Sequence, residues 1–304
     1  MTSRLGRWFI RAVTRPPFAD EAGRKPLPRL FRAKPHVVRR LTLVLPDWPR
    51  TERPLRIAFL SDFHTGCHAD DLARLQSIIA EAASHGPDLA LYGGDFVNMM
   101  AFGGGRVPPR AIAAILAELD APLGRFAVLG NHDYDYGADE IAAALTRSGI
   151  AVLDDERHAL SFAGAAIDLI GIPDARVHRG RAAALLSGVA TRGPTLVLAH
   201  DPYWFAHLPP GPHLMLAGHT HGGQICLPGI GPLINMSRAP LAWTHGLIVA
   251  DGRHMYVTSG LGMSGLPLRL GIAPEWALVD VTAEPVDTQH HVRGRVGSGK
   301  FPAP

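Results

Sequence analysis

The chain has 304 residues, of which 47% are hydrophobic, so it is a globular protein, and its two cysteines are too few for a disulfide framework. Residues 1–40 hold eleven Lys or Arg against two acidic residues, net +9, whereas the remainder, with 19 basic and 25 acidic residues, is net −6. A basic leader of this kind attracts phosphate-rich surfaces, meaning anionic lipid or nucleic acid.

Residues 1–35 are predicted to be a basic, partly irregular leader. Within it, residues 5–13 interleave apolar and arginine side chains, which is typical of a short amphipathic helix lying on a membrane surface. Arg39 and Arg40 precede an apolar run and suggest a twin-arginine signal, but Pro46 ends that run after five residues, so a β-strand is favoured. No run of about 18 apolar residues occurs, so we predict no membrane-spanning helix. We expect a cytoplasmic protein that attaches peripherally to the inner membrane through residues 1–40.

From residue 56 onward, short apolar runs alternate with stretches of helical periodicity, a pattern typical of an α/β fold with buried strands. Strands are predicted at 36–45, 57–60, 89–92, 126–129, 150–153, 166–171, 195–199, 214–217, 247–250, 254–258 and 276–281. Helices are predicted at 71–85, 109–119 and 139–148. The last three strands are expected to be antiparallel ones that complete a sheet. Residues 283–304 have nothing to bury and are predicted to form a disordered tail.

Five of the predicted strands stop at clusters of Asp, Asn or His, and the carboxyl ends of strands are where ligand sites assemble in α/β sheets. His219 and His221 are two residues apart and flanked by glycines, so both imidazoles can face one small site. Carboxylate, imidazole and amide ligands without cysteine suit divalent Mn, Fe or Zn ions. The full set of such side chains is Asp62, His64, Asp95, Asn131, His132, His200, His219 and His221.

Taken in order, these residues form five motifs, and the ordered set is far more specific than any one of them. The motifs are Asp62-Phe63-His64, Gly94-Asp95-Phe96-Val97-Asn98, Gly130-Asn131-His132-Asp133, His200 and Gly218-His219-Thr220-His221. This series resembles the calcineurin-like metallophosphoesterase superfamily over residues 56–281. Gly222-Gly223-Gln224 and residues 259–269 further resemble a bacterial branch that includes membrane-linked phosphodiesterases and UDP-2,3-diacylglucosamine hydrolases of lipid A synthesis.

The resemblance implies a four-layer αββα sandwich, with two mixed β-sheets and a dinuclear metal site at the carboxyl ends of the strands, in a domain spanning residues 36–282. It implies two divalent ions, manganese, iron or zinc. The residues expected at the first ion are Asp62, His64, Asp95 and His221, and those at the second are Asp95, Asn131, His200 and His219. A carboxylate suits the shared position of Asp95, because it offers two anionic oxygens to two cations.

The same resemblance implies hydrolysis of a phosphodiester or pyrophosphate bond by attack of a metal-bridging hydroxide. His132 is expected to protonate the leaving oxygen, with Asp133 holding the His132 ring. Arg269 lies in a glycine-rich loop, where it either contacts a substrate phosphate or forms a surface ion pair. The expected substrate is a phosphate-containing small molecule or a lipid-linked one such as UDP-2,3-diacylglucosamine.

Other interpretations remain open at this point. A nuclease or a phosphomonoesterase of the same fold would use the same ligands, although the acidic body offers no evident basic groove for nucleic acid. A noncatalytic scaffold is disfavoured because the ligand set is complete. Capping of the next helix is favoured over ligation for His68, Asp70 and Asp71. Large apolar side chains near the motifs either bind an acyl chain or, as we favour, pack beneath the loops: Met99, Met100, Phe102, Met236 and Trp243.

Overall fold

The computed structural model describes residues 33–68, 71–99, 106–176, 179–189, 193–265 and 268–284. The predicted amphipathic helix of the leader lies outside these residues, as do residues 285–304 of the predicted disordered tail and Asp70, Met100 and Phe102. The tail prediction is wrong for Ala283, which is buried in the core between the two sheets. Within the described ranges, no helix combines the length and the apolar character that crossing a bilayer requires.

The strands of the described chain are β1 Val37–Val44, β2 Leu55–Leu60, β3 Leu89–Tyr92, β4 Arg125–Ala127, β5 Ala151–Val152, β6 Glu156–Phe162, β7 Ala165–Ile172, β8 Thr195–Ala199, β9 His213–Ala217, β10 Cys226–Leu227, β11 Gly231–Pro232, β12 Gly246–Ala250, β13 Arg253–Val257 and β14 Glu275–Thr282. The α-helices are α1 Asp71–Ser84, α2 Pro109–Leu116, α3 Asn131–Tyr136, α4 Ala138–Arg147 and α5 Arg179–Ser187. Every strand and helix predicted from the sequence is present, with its ends shifted by no more than three residues.

Two six-stranded mixed sheets form the centre of the fold. The first has the order β1-β14-β2-β3-β4-β5 and the second the order β12-β13-β9-β8-β7-β6. The expectation of three antiparallel closing strands holds only in part, because β13 runs parallel to β9 and β14 runs parallel to β1. β14 is antiparallel to β2, and β12 is antiparallel to β13. The strands therefore close two sheets rather than one.

Alternation along the strands explains the layers. In β2, Ile57 and Phe59 point into the core between the two sheets, whereas Ala58 and Leu60 face the helices on the outside. That outer core is completed by the buried faces of α1, α2 and α4. Likewise, the second sheet turns Leu196 and Leu198 of β8 toward the first sheet and Val197 toward α5. The result is the expected αββα sandwich, in which both sheets are covered on both faces.

Parallel strands bring their carboxyl ends to one edge of each sheet. β2, β3 and β4 run parallel in the first sheet, and β7, β8, β9 and β13 run parallel in the second. The sheets face each other across their shared core, so the loops that follow these strands meet at the same end of the sandwich. Those loops carry the motif residues.

Candidate metal centre

All seven predicted ligands lie at this meeting point of the loops. Asp62, His64, Asp95 and His221 form one group in which a ligand atom from each residue lies within 4.8 Å of the others, and Asp95, His200 and His219 form a second such group. Asn131 joins the second group, because its Oδ1 lies 3.2 Å from Nε2 of His200. Asp95 belongs to both groups, as expected for a shared ligand.

The loops hold these ligands in a strained backbone conformation. Nine non-glycine residues of the described chain have a positive φ, and five of them are predicted ligands. These five are Asp62, His64, Asp95, His219 and His221, with φ between 40° and 69°. The left-handed region costs a non-glycine residue roughly 1 to 3 kcal/mol and is maintained only where surrounding contacts enforce it, which is typical of functional sites. The loops therefore hold these predicted ligands in place at a cost to local stability.

Two glycines let the loops approach closely enough to form the cluster. A Cβ atom at Gly130 would lie 2.2 Å from Oδ1 of Asp95, and one at Gly218 would lie 2.4 Å from Oδ2 of Asp62. Such distances are far shorter than any van der Waals contact. Both positions therefore need glycine for space beside a ligand.

Hydrogen bonds to carbonyl groups fix the orientation of two imidazoles. Nδ1–H of His200 donates to the Gly93 carbonyl at 2.7 Å, and Nε2–H of His219 donates to the Met236 carbonyl at 3.1 Å. This assignment, inferred from the network, leaves the unprotonated nitrogens Nε2 of His200 and Nδ1 of His219 facing each other at 3.1 Å. Nitrogens that bind one ion at about 2.1 Å lie about 3.0 to 3.4 Å apart, so this pair fits a shared metal.

The first group shows the same convergence. Nε2 of His64 and Nε2 of His221 are 3.1 Å apart, and Nε2 of His221 lies 3.7 Å from Oδ1 of Asp62. Oδ2 of Asp95 lies 3.5 Å from Nε2 of His64 and 3.7 Å from Nε2 of His200, so this single oxygen stands between both groups. The other oxygen, Oδ1, accepts the backbone N–H of His132 at 2.8 Å.

The two carboxylates of the cluster need positive charge. Burial raises the pKa of Asp62 to about 6 and that of Asp95 to about 7, although neighbouring histidines oppose the shift. Both side chains are almost fully enclosed, and unpaired carboxylates are costly at such depth. Divalent cations would offset that cost, so the donor set, its convergence and its charge all fit a metal site.

His132 stands beside the cluster without joining either ligand group. Its ring is edge-on to His64, with 4.9 Å between ring centroids, and its Nε2 lies 2.9 Å from Oγ of Ser264. Burial lowers the pKa of His132 to about 4, against the opposing effect of Asp135, so the ring of the metal-free protein is neutral at pH 7. Ser264 lies in the segment 259–269, but nothing in the sequence marks its contact with His132.

The predicted role of Asp133 needs correction. Its carboxylate does not hold the His132 ring but accepts three backbone N–H groups, from Asp95, Phe96 and Gly130, at 2.8 to 2.9 Å. Asp133 therefore fastens the loop of the second motif to that of the third, which positions Asp95 beside Asn131. The assignment failed because adjacency to His132 in sequence does not put two side chains on the same side of a helix.

Arg269 also differs from expectation. It is only 3% exposed, and its guanidinium donates to the carbonyls of His221, Ser259 and Gly262. The surface ion pair predicted for it is not found, because the loop folds over the side chain, and this burial leaves its guanidinium no exposed face for a substrate phosphate. Arg269 instead ties the loop that carries His221 to the loop that follows β13.

Arg176 is a half-exposed arginine in the loop that follows β7, beside the cluster. Its side chain is 51% exposed, and its Nε donates to the buried Asp174 at 2.6 Å. The backbone N–H of Asp174 donates to the Leu129 carbonyl, which places this loop next to the third motif. Arg176 acts electrostatically on both Asp95 and His132, lowering the pKa of each. In the sequence, the signal available for Arg176 was its position after the end of strand β7, but no motif marked it.

The buried Asp71 carboxylate, near the cluster, binds backbone groups of the loop that precedes α1. The Asp71 carboxylate accepts the backbone N–H groups of Gly66 and His68 at 2.8 and 2.7 Å, and its other oxygen lies 2.9 Å from Nδ1 of His68. These bonds fasten the loop that leads into α1, and the N–H groups that Asp71 accepts precede that helix, so the capping predicted from the sequence stays a prediction. Cys67 and Cys226 are both free thiols, as predicted.

Comparisons with known proteins agree with this geometry. Residues 55–223, which include all seven predicted ligands, match the family described as calcineurin-like phosphoesterase. An uncharacterized metallophosphoesterase of Bacillus subtilis, YkuE, is 32% identical over 226 residues, covering 72% of this chain and 74% of that protein. The phosphodiesterase YaeI of Escherichia coli is 32% identical over 241 residues, covering 75% of this chain and 82% of that protein. Among solved structures, the NAD nucleotidase NadN of Haemophilus influenzae is similar with a TM-score of 0.45 and 14% identity, over 68% of this chain and 45% of that one.

Proposed function

The chain belongs to the calcineurin-like phosphoesterase family and is a hydrolase of phosphoric esters; we propose that it cleaves a phosphodiester or pyrophosphate bond at a centre of two divalent ions. The observation that carries the proposal is the position of Asp95. One of its oxygens lies within 3.7 Å of imidazole nitrogens from both ligand groups, as a carboxylate shared by two ions requires.

Each group supplies ligands of matched chemistry. Asp62, His64 and His221 would hold the first ion with Asp95, and the second ion would be held by Asp95 and the set Asn131, His200 and His219. When bound, the ions supply Lewis-acid activation of water and of the phosphate oxygens. The charges of Asp62 and Asp95 reduce the net charge of the filled centre, and the left-handed loops preorganise the ligands before binding.

His132 is the proposed proton donor to the leaving oxygen. Its Nε2 lies at the rim of the cluster and is held by Ser264, which can exchange this hydrogen bond for one from the ring to substrate. The ring is neutral in the metal-free protein, and a phosphate anion bound beside it favours the protonated form. Once protonated, the His132 ring places an N–H donor beside the leaving ester oxygen.

Arg176 is the proposed contact for a nonbridging phosphate oxygen. Asp174 fixes the guanidinium through Nε, and Nη2 lies 3.9 Å from a carboxylate oxygen of Asp135. The guanidinium stays half exposed and acts electrostatically on Asp95 and His132. A planar guanidinium suits two oxygens of one phosphate. This role replaces the one that the sequence assigned to Arg269.

The proposed substrate is a diester or pyrophosphate linked to lipid, of the class of UDP-2,3-diacylglucosamine. Support comes from the name of the relative YaeI, a phosphodiesterase, and from the basic leader and apolar loops of this chain. Manganese is the proposed metal among the candidates, because the centre mixes carboxylate and amide oxygens with imidazoles and has no thiolate.

A substrate panel tests the proposal. Full-length protein loaded with manganese is assayed against bis(p-nitrophenyl) phosphate, p-nitrophenyl phosphate and UDP-2,3-diacylglucosamine, with metal content measured on the same sample. We expect turnover of the diester and the lipid-linked pyrophosphate to exceed that of the monoester. Rapid cleavage of the monoester alone would refute the substrate class.

Two variants test the residue roles. His132→Ala is expected to lower kcat by about 10² to 10⁴ while retaining both metals, since its side chain lies outside both ligand groups. Arg176→Met is expected to raise KM for the diester. Its matched control is Arg157→Met, which removes an exposed arginine paired with Asp168 at 3.0 Å and leaves KM unchanged. Equal kinetic effects of the two arginine variants would remove Arg176 from the site.

A further inference from the structure

Loops beside the metal centre expose an unusual number of large apolar side chains. Ile230 and Met236 are each 71% exposed, and the others are at least 45% exposed. We call these side chains the apolar lip: Ile230, Leu233, Ile234, Met236, Leu241, Leu268 and Leu270. Exposed apolar residues scattered singly need no explanation, but seven from two neighbouring loops mark an interaction site.

Backbone pairing joins the two loops that carry the lip. β10 pairs antiparallel with β11, and on its other side Ile225 forms a parallel bridge with Leu270. The N–H of Cys226 donates to the Leu270 carbonyl at 2.8 Å, and the N–H of Leu270 donates to the Gln224 carbonyl at 2.9 Å. The lip is therefore a paired surface rather than a set of independent loop tips.

The lip is attached directly to the metal centre. The Met236 carbonyl accepts from the ring of His219 at 3.1 Å, and Ser237 donates to Asp201 at 2.5 Å. On the opposite side, the side chain of Gln224 pairs with the backbone of Ser264, whose hydroxyl contacts His132. Whatever covers the lip therefore lies next to the place where substrate enters.

The charges of the two lip loops indicate which class of partner they bind. The sequence has no acidic residue from 202 to 250 and none from 252 to 274, so both loops of the lip are free of negative charge. Arg238 is exposed among the apolar residues of the first loop. An apolar surface rimmed by positive charge and without carboxylates complements a bilayer with anionic headgroups.

Lys34, near the start of the described chain, lies at the same place. Residues 1–32 contain eight Lys or Arg against two acidic residues. Two residues after this segment, Nζ of Lys34 donates to the carbonyl of Arg269 at 2.6 Å, between the exposed Leu268 and Leu270. Lys34 thus adds a positive charge to that of Arg238 at the lip, and the basic residues 1–32 precede it in the sequence.

We propose that the apolar lip docks this protein on an anionic lipid bilayer, with the metal centre facing the membrane surface. Apolar side chains enter the boundary between headgroups and acyl chains, and the basic residues pair with lipid phosphates. Docking does not depend on the proposed activity, and it is measured without turnover. It would let a lipid-linked phosphate ester reach the centre without leaving the bilayer.

Vesicle co-sedimentation of the full-length chain tests the proposal. We expect binding to vesicles of phosphatidylcholine with phosphatidylglycerol and weaker binding to phosphatidylcholine alone, and we expect high salt to weaken binding to the anionic vesicles only. The double variant Ile230→Asp/Leu233→Asp should lower the partition coefficient at least tenfold. The matched control is Val249→Asp, an equally exposed apolar residue (49%) at the far end of β12 from the metal centre, which should bind as the wild type does.

Several results would overturn the proposal. Wild-type protein that binds neither kind of vesicle would show that the lip is not the docking surface. A double variant that binds anionic vesicles as tightly as wild type does would show the same, and it would assign binding to the basic leader alone. A wild-type dimer that becomes a monomer in the double variant, seen by light scattering, would make the lip an interface between copies. Turnover of bis(p-nitrophenyl) phosphate should be unchanged in the double variant, which separates lost docking from lost folding and from failure of the proposed activity.

Discussion

Replacing Gly130 by alanine should disable the metal centre without altering any ligand. The added Cβ would lie 2.2 Å from Oδ1 of Asp95, 2.6 Å from the Asp95 backbone nitrogen and 2.6 Å from Cε1 of His200. Ordinary contacts of this kind are about 3.5 Å, so the Asp95 carboxylate must move by about 1 Å or more. The φ of Gly130 is −93°, which alanine adopts freely, so the effect comes from the collision alone.

A shift of about 1 Å in a positioning group costs about 10²-fold in rate, and disturbed support of metal ligands costs about 10- to 100-fold in affinity. We therefore expect kcat/KM for bis(p-nitrophenyl) phosphate to fall about 100-fold or more, with metal content after gel filtration falling in parallel. The control is Gly180→Ala on α5, where a Cβ meets nothing within 4 Å and helix propensity adds roughly 1 kcal/mol of stability. Full metal content and near wild-type turnover in Gly130→Ala would refute the packing argument.

Three further predictions concern stability. In chelator-treated protein, Asp95→Asn should raise the free energy of unfolding at pH 8 by up to roughly 4 kcal/mol. Burial raises the pKa of this carboxyl to about 7, so the ionised carboxylate destabilises the fold above pH 4. Urea titrations at pH 8 and pH 4 should show that the gain disappears at the lower pH. Glu275→Gln should lower the free energy of unfolding by up to roughly 3 kcal/mol at pH 7. Burial alone would raise the Glu275 pKa, but hydrogen bonds from His245 and Tyr256 and the charge of Arg39 lower it to about 2. The loss of stability should therefore shrink between pH 4.5 and pH 2, and a pH-independent difference would contradict this origin. Leu216→Ala, which opens a cavity between the two sheets, should cost about 2 to 5 kcal/mol in the same measurement, and a cost below about 1 kcal/mol would mean that the sheets are not closely packed there.

The residues of the candidate cluster were predictable from sequence because each one lies within four residues of the end of a strand. A buried strand such as Leu89–Tyr92 is recognisable as a short apolar run, and parallel strands deliver whatever follows them to one edge. His219 and His221 alone formed a weak pattern. Their meaning came from the carboxylate and imidazole side chains supplied by the earlier strand ends, which the structure gathers into groups whose possible ligand atoms lie within 4.8 Å of one another.

The roles of Asp133, Arg269 and Arg176 were not predictable, because each depends on which backbone groups the folded loops bring near the side chain. Three N–H groups from two separate loops meet at Asp133, and three carbonyls enclose Arg269. Local periodicity also missed β6, in which only Leu160 and Phe162 are buried, so alternation is too brief to mark a strand. Tertiary contacts rather than local preference determine these features.

The most direct test of the account is anomalous diffraction from crystals of manganese-loaded protein. The shared position of Asp95 predicts two anomalous peaks per chain, one on each side of its carboxylate, with Asp62, His64 and His221 around one peak and Asn131, His200 and His219 around the other. A single peak, or two peaks of which only one contacts Asp95, would contradict the central claim.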